Sequence, residues 1–133
     1  MSYQGEEIKT VAQLREYQAG EWIGVDFDGV LATYDGWKGP EHCGEPIPAM
    51  VDRVKLWLKG GTQVRILTSR VGSAYPDQVE PARQAIQAWC LKHLGTTLPV
   101  TCEKDQRMFL FYDDRAVEMV TNTGLPRHER FSV

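Results

Sequence analysis

The stretch Trp22-Ile23-Gly24-Val25-Asp26-Phe27-Asp28-Gly29 decides the fold. Its apolar part, 22–27, reads as a short buried strand. The strand runs out into two carboxylates one residue apart, followed by a glycine. Alternate side chains of an extended chain share a face, so Asp26 and Asp28 can serve one site. Gly29 frees the backbone to turn there and lets amides approach an anion.

Three later apolar runs end the same way. Val64 to Leu67 leads into Thr68-Ser69-Arg70, Pro99 to Glu103 into Lys104-Asp105, and Met108 to Tyr112 into Asp113-Asp114. Helix-like stretches lie between them. Ala49 to Lys59 places Met50, Val54, Trp57 and Leu58 on one face and stops at Gly60-Gly61. A helix is predicted from Pro81, a residue suited to a first turn, to Gly95, with Ala85, Ile86, Trp89 and Cys90 on one face. A leading helix over Thr10 to Ala19, a helix over Arg115 to Thr123 ended by Gly124, and a last strand over His128 to Val133 complete the pattern. Alternating strands and helices predict an α/β fold: one Rossmann-like domain over 1–133 with a central, mostly parallel sheet. Ligands of such sheets bind beyond the carboxyl ends of the strands, so all four polar groups should meet in one crevice.

Composition narrows the function. The chain has 133 residues, enough for one domain with a sizeable core. Its 15 basic and 18 acidic residues give a net charge of −3, which disfavours nucleic acid as the main partner. The three cysteines, Cys43, Cys90 and Cys102, form no metal-type pair, and an odd number fits a reducing compartment. No apolar run reaches membrane-spanning length, and the polar, acidic residues 1–10 do not read as a signal peptide. The expected location is the cytoplasm and no membrane partner is expected.

The converging residues have a definite chemistry. Asp26, Asp28, Asp113 and Asp114 would repel one another without a cation, and a hard, oxygen-seeking ion such as Mg²⁺ is the natural one. Thr68 offers a hydroxyl and Lys104 a fixed positive charge, both suited to phosphate oxygens. Singly, each has an ordinary explanation: a solvated Asp-x-Asp turn, an Asp113-Asp114 helix cap, a capping Thr68, a surface Lys104. Four such groups, each at a strand end, are not explained that way. Together they are equipment for phosphoryl transfer.

The residues 25–31 (VDFDGVL), 64–70 (VRILTSR), Lys104 and 111–115 (FYDDR) resemble, in order, the four motifs of the haloacid dehalogenase (HAD) superfamily of phosphohydrolases. The likeness spans about 21–124, and the texture resembles small phage and prophage members. It implies a phosphatase in which Asp26 forms an aspartyl-phosphate and Asp28 acts as general acid and then base. It implies Mg²⁺ on Asp26, the backbone carbonyl of Asp28 and Asp114, with Asp113 holding a metal-bound water or the loop. Thr68 and Lys104 would hold the phosphoryl group, aided by the amides of Phe27 and Ser69.

One departure is informative. Neither 29–63 nor 71–100 has room for the full cap domain of many such enzymes. A flap over about 32–46 is expected to supply part of a lid. Within it Tyr34, Trp37, Lys38 and His42 are candidates for substrate contact, although packing within the flap is the ordinary role of such aromatics. Arg70 has two readings of equal weight, a substrate phosphate or a surface acid. Asp105 either orients Lys104 or lies on the surface. Without a cap, water must be excluded by a large substrate or by a second copy in a homo-oligomer.

The expected substrate is a small phosphorylated metabolite or nucleotide. Competing readings are end-processing of nucleic acid, a phospho-receiver domain, and a HAD-like binding protein. The order of the acidic motifs, with Asp-x-Asp first, disfavours the receiver.

Overall fold

A computed structural model describes residues 16–128. Residues 10–15 of the expected helix over 10–19 and most of the expected final strand lie outside these; residues 16–19 are not helical. The described residues fall into two compact units, 19–114 and one containing 16–18 with 115–128. No described helix is long and apolar enough to cross a membrane.

The larger unit holds four strands: β1 (Trp22–Val25), β2 (Gln63–Leu67), β3 (Val100–Thr101) and β4 (Met108–Tyr112). They pair in the order β3-β2-β1-β4, and every pairing is parallel. Two helices join them: α1 (Pro48–Lys59) between β1 and β2, and α2 (Pro76–Leu94) between β2 and β3. The α/β fold expected from the alternating pattern is therefore present. All four strands point the same way, so their carboxyl ends share one edge of the sheet.

Alternation along the strands sorts the two faces. Ile23 and Val25 of β1 and Val64 and Ile66 of β2 face a common core with Met50, Val51 and Val54 of α1 and Ala82, Ile86, Trp89 and Cys90 of α2. Trp22 and Gly24 use the opposite face. Trp22 is fully buried there, with the Arg65 guanidinium 4.5 Å over its ring and its indole N–H donating to Asp105 at 2.9 Å. Asp105 also pairs with Arg65 at 3.4 Å and accepts from the Arg107 amide. Its role is thus to pin the helix-free segment 102–107, which carries the chain from one edge of the sheet to the other.

The connection after β1 is wound tightly. The Phe27 carbonyl accepts from the amides of Val30, Leu31 and Ala32, and the Gly29 amide donates to Ala32. The flap then leaves and returns at a narrow neck, where Ala32 bridges Pro46 and the Thr33 amide donates to Glu45 at 2.8 Å. Trp89 of α2 reaches this neck. Its ring packs edge-on against Phe27 at 5.0 Å, and its N–H donates to the Gly44 carbonyl at 2.8 Å.

Three expectations need correction. Helix α2 begins at Pro76, so Pro81 lies inside it rather than at its start. Pro76 already fills the favoured first position, and a proline one turn later removes a single backbone bond. The buried stripe of α2 uses Ala82 where Ala85 was expected. Residues 115–123 form no helix. In the smaller unit Met119 instead bridges Pro126, the Val120 amide donates to Leu125, and Glu118 pairs with Arg127 at 3.1 Å. Asn122 and Gly124 both take positive φ in the intervening turn, a conformation these two residue types tolerate best.

The flap neck can be tested sterically. A Cβ on Gly44 would stand 1.9 Å from the Thr33 carbonyl oxygen. Gly44→Ala is therefore expected to cost about 1–3 kcal/mol, as overpacking does. Thermal unfolding indistinguishable from wild type would show that the neck is looser than this.

Candidate functional site

The ladder between β1 and β4 builds the acidic group. Val25 stands opposite Tyr112, and the Asp26 amide donates to the Tyr112 carbonyl at 2.9 Å. The next residue on each strand is therefore an aspartate beside an aspartate. Ligand atoms of Asp26, Asp113 and Asp114 all lie within 4.8 Å of one another. Among the described residues this is the group of acids able to hold a metal ion, and its all-oxygen donor set fits a hard divalent cation.

Gly29 makes room for it. Its φ is +86°, and a Cβ there would come within 2.6 Å of an Asp114 carboxylate oxygen. The turn after the strand and the reach of Asp114 thus demand the same glycine. The Asp26 carboxylate also accepts the Phe27 amide at 2.8 Å. That amide, expected to face a substrate, is here engaged by the aspartate itself.

Confinement has an electrostatic consequence. The pKa of Asp26 is pushed up from 3.8 to about 7. Burial is the largest cause, followed by the hydrogen bond with Asp113; the charges of Asp113 and Asp114 add to it, while the Phe27 amide opposes it.

Asp28 stands outside this group. Its carboxylate meets Arg70 at 3.4 Å. The Asp28 pKa is raised, chiefly by burial, with Arg70 and His42 pulling it back down. Any metal role of Asp28 falls to its backbone carbonyl, as the resemblance implied.

Arg70 pairs with an acid, as one of its two sequence readings has it, but that acid is the half-buried Asp28 rather than one on the surface. Its side chain is only 5% exposed. Besides Asp28 it donates to the backbone carbonyls of Pro40 and of His42, the latter at 2.7 Å. Its guanidinium lies 5.5 Å from the Trp37 ring and 5.8 Å from that of Phe27. Arg70 is thus a buried clamp between Asp28 and the flap. The burial of its side chain, the signal that reveals this role, exists only in the folded molecule.

The other expected residues sort themselves by strand. Thr68, at the end of β2, is buried; its amide donates to Thr101 at 2.8 Å, and its hydroxyl oxygen accepts the Arg70 amide at 3.2 Å. Ser69 opens a 3-10 turn, Ser69–Val71, and is exposed. Lys104 is exposed on the segment after β3, two strands from β1. Among the described residues no hydrogen bond or ion pair ties it to the acidic group. Tyr34 and Trp37 are 51% and 55% exposed, so neither is packed away inside the flap. Lys38 pairs with Asp35 at 3.0 Å, and His42 accepts from Arg70 through its carbonyl while its side chain acts on the Asp28 carboxyl by charge.

No family model matches the sequence, and no curated protein is similar to it. Among solved structures, a conserved protein coded by a locus of Bacteroides thetaiotaomicron is similar. It is 21% identical, with 73% of this chain and 78% of that chain covered and a TM-score of 0.47.

The raised pKa of Asp26 gives a test with a definite sign. Between 3.8 and about 7 the metal-free folded state holds a proton that the unfolded state has lost. Stability from this group is therefore lost as pH rises through that window. Asp26→Asn keeps the Phe27 hydrogen bond without the charge. With a chelator present, its unfolding temperature should exceed that of wild type by a margin that grows from about pH 4 to pH 7 and then levels off. Discounted for partial solvent exposure, the margin is about 1–2 kcal/mol, a few degrees. A margin independent of pH would contradict the assignment.

Proposed function

We propose that the protein is a phosphohydrolase of the HAD type, acting on phosphate monoesters through Asp26. One observation carries the reading: the Asp26 carboxylate sits at the carboxyl end of a central parallel strand, within reach of Asp113 and Asp114. The parallel sheet supports it, because this edge is where such folds bind ligands. The sequence motifs that follow β1, β2 and β4 support it as well, while Lys104 lies on the segment beyond β3.

The chain's own residues would divide the work as follows. An Asp26 oxygen attacks phosphorus, and the bond from phosphorus to the leaving oxygen breaks. Asp28 gives its proton to that oxygen and releases the alcohol. The Asp28 carboxylate then takes a proton from water, which attacks phosphorus and frees Asp26 and phosphate. The raised pKa of Asp28 suits the first of these steps, and the adjacent Arg70 suits the second, because it favours the carboxylate. Thr68 and the exposed Ser69 stand at the end of β2, next to β1, where they can donate to phosphoryl oxygens. Lys104 would join them by extending from the segment after β3.

The carboxylates of Asp26, Asp113 and Asp114, with the Asp28 carbonyl, would hold Mg²⁺. When bound, the ion would supply positive charge that keeps Asp26 ionised near neutral pH and offsets charge on the phosphoryl group.

Steady-state kinetics with an aryl phosphate and an alkyl phosphate test the reading. Activity should need Mg²⁺ and disappear in a chelator. Asp26→Asn should lower kcat by about three orders of magnitude or more, as loss of a nucleophile does. Full turnover without a divalent ion, or in the variant, would overturn the reading. Asp28→Asn should impair the alkyl ester far more than the aryl ester, whose leaving group needs little help from an acid. Equal losses on both would remove Asp28 from the acid role.

A further inference from the structure

Next to the proposed phosphoryl site lies a cleft of 460 Å³, within the range of small-molecule sites. Its walls include the aromatic rings of Trp37 on the flap and Tyr75 at the start of α2. Both are large apolar side chains left mostly in solvent, 55% and 66% exposed. Arg70 backs the Trp37 ring at 5.5 Å, so the ring is oriented rather than free. Gln78, one turn into α2, adds a carboxamide with donor and acceptor groups. Ser69 and Arg70 line the end that leads to the phosphoryl position. Arg70 and Trp37 also line a separate narrow gap whose wall includes Asp28, the proposed acid.

We infer that this cleft is a nucleobase subsite, and that the substrate is a nucleotide whose phosphate lies at Thr68 and Ser69 while its base stacks on Trp37 and Tyr75. The inference rests on the phosphohydrolase reading for the phosphate end only. Two exposed aromatic rings offer π-faces that suit a planar base, and they suit a sugar phosphate less well. Gln78 is placed to hydrogen-bond the edge of the base. The cleft is open on one side, which admits either a free nucleotide or the terminal nucleotide of a strand. The chain has no excess of basic residues with which to grip a long phosphate backbone.

The experiment compares kcat/KM for adenosine monophosphate, cytidine monophosphate, a 5′-phosphorylated oligonucleotide, ribose 5-phosphate and an aryl phosphate. It does so in wild type, Trp37→Ala, Tyr75→Ala and Trp37→Phe. Binding of adenosine, which lacks phosphate, is followed in parallel by ligand-observed NMR with Asp26→Asn. Nucleotides should exceed ribose 5-phosphate by about tenfold or more, the gain expected from base stacking. Each alanine variant should erase that preference while leaving ribose 5-phosphate within about twofold, and Trp37→Phe should restore most of it. Circular dichroism should be unchanged, since both rings are exposed. Adenosine should bind, and Trp37→Ala in the Asp26→Asn background should abolish binding.

Mononucleotides equal to the oligonucleotide would assign the free nucleotide; an oligonucleotide clearly preferred would assign the strand end. Asp26-dependent turnover with no preference for nucleotides and no adenosine binding would overturn the base subsite and leave the phosphatase standing. Adenosine binding that needs Trp37, with no turnover of any ester, would overturn the phosphatase and leave the subsite standing.

Discussion

Everything at the candidate site depends on two strands lying side by side and pointing the same way. Because β1 and β4 pair in parallel, Asp26 and the Asp113-Asp114 pair emerge together at one edge of the sheet. The ladder's hydrogen bonds and the buried strand residues stabilise this arrangement; the carboxylates do not. Held this close and half out of water, they raise the pKa of Asp26 to about 7. An arrangement that the core must hold against its own electrostatics is common where charge is reserved for a ligand. Gly29 shows how tightly geometry and charge are linked, since the atom it lacks would occupy the space of an Asp114 oxygen.

The second organising element is Arg70. A guanidinium so thoroughly buried is costly unless its N–H groups find acceptors. It finds a carboxylate in Asp28 and two carbonyls in the flap. Its Nε, however, is buried without a hydrogen-bond partner. One side chain therefore couples the proposed acid to the loop that carries Trp37. Its charge lowers the Asp28 pKa that burial raises. In a chain with no cap domain between β1 and β2 or between β2 and β3 among the described residues, this short flap is the segment that stands over the Asp28 side of the site.

Much of this was legible from residues alone, for local reasons. An apolar run ending in a polar group marks a buried strand and its end, and four such runs gave the α/β class and the edge where the site would lie. Strand β4 spans the residues expected of it, Met108–Tyr112. Where several signals competed, the local reading failed. Pro81 looked like a helix start because the turn residues before it hid the equally suitable Pro76. Residues 115–123 have apolar residues at helical spacing, but Asn122 and Gly124 favour a turn, and the turn prevailed. Of the two readings of Asp105, the surface position holds, since the residue is exposed, but its partners, Trp22 and Arg65, are remote in the chain and no local pattern names them.

The sequence by itself determined which chemical groups sit at strand ends, because alternation, turn residues and strand length are properties of neighbouring residues. Only the tertiary structure decided which of those groups meet. Strand order placed Asp26 beside Asp113 and Asp114 and put Lys104 two strands away, and no local pattern encodes strand order. The burial of Arg70 and the opening of the cleft between Trp37 and Tyr75 were likewise settled by packing. Both depend on what a flap and a helix leave uncovered once the core has closed around Phe27 and Trp89.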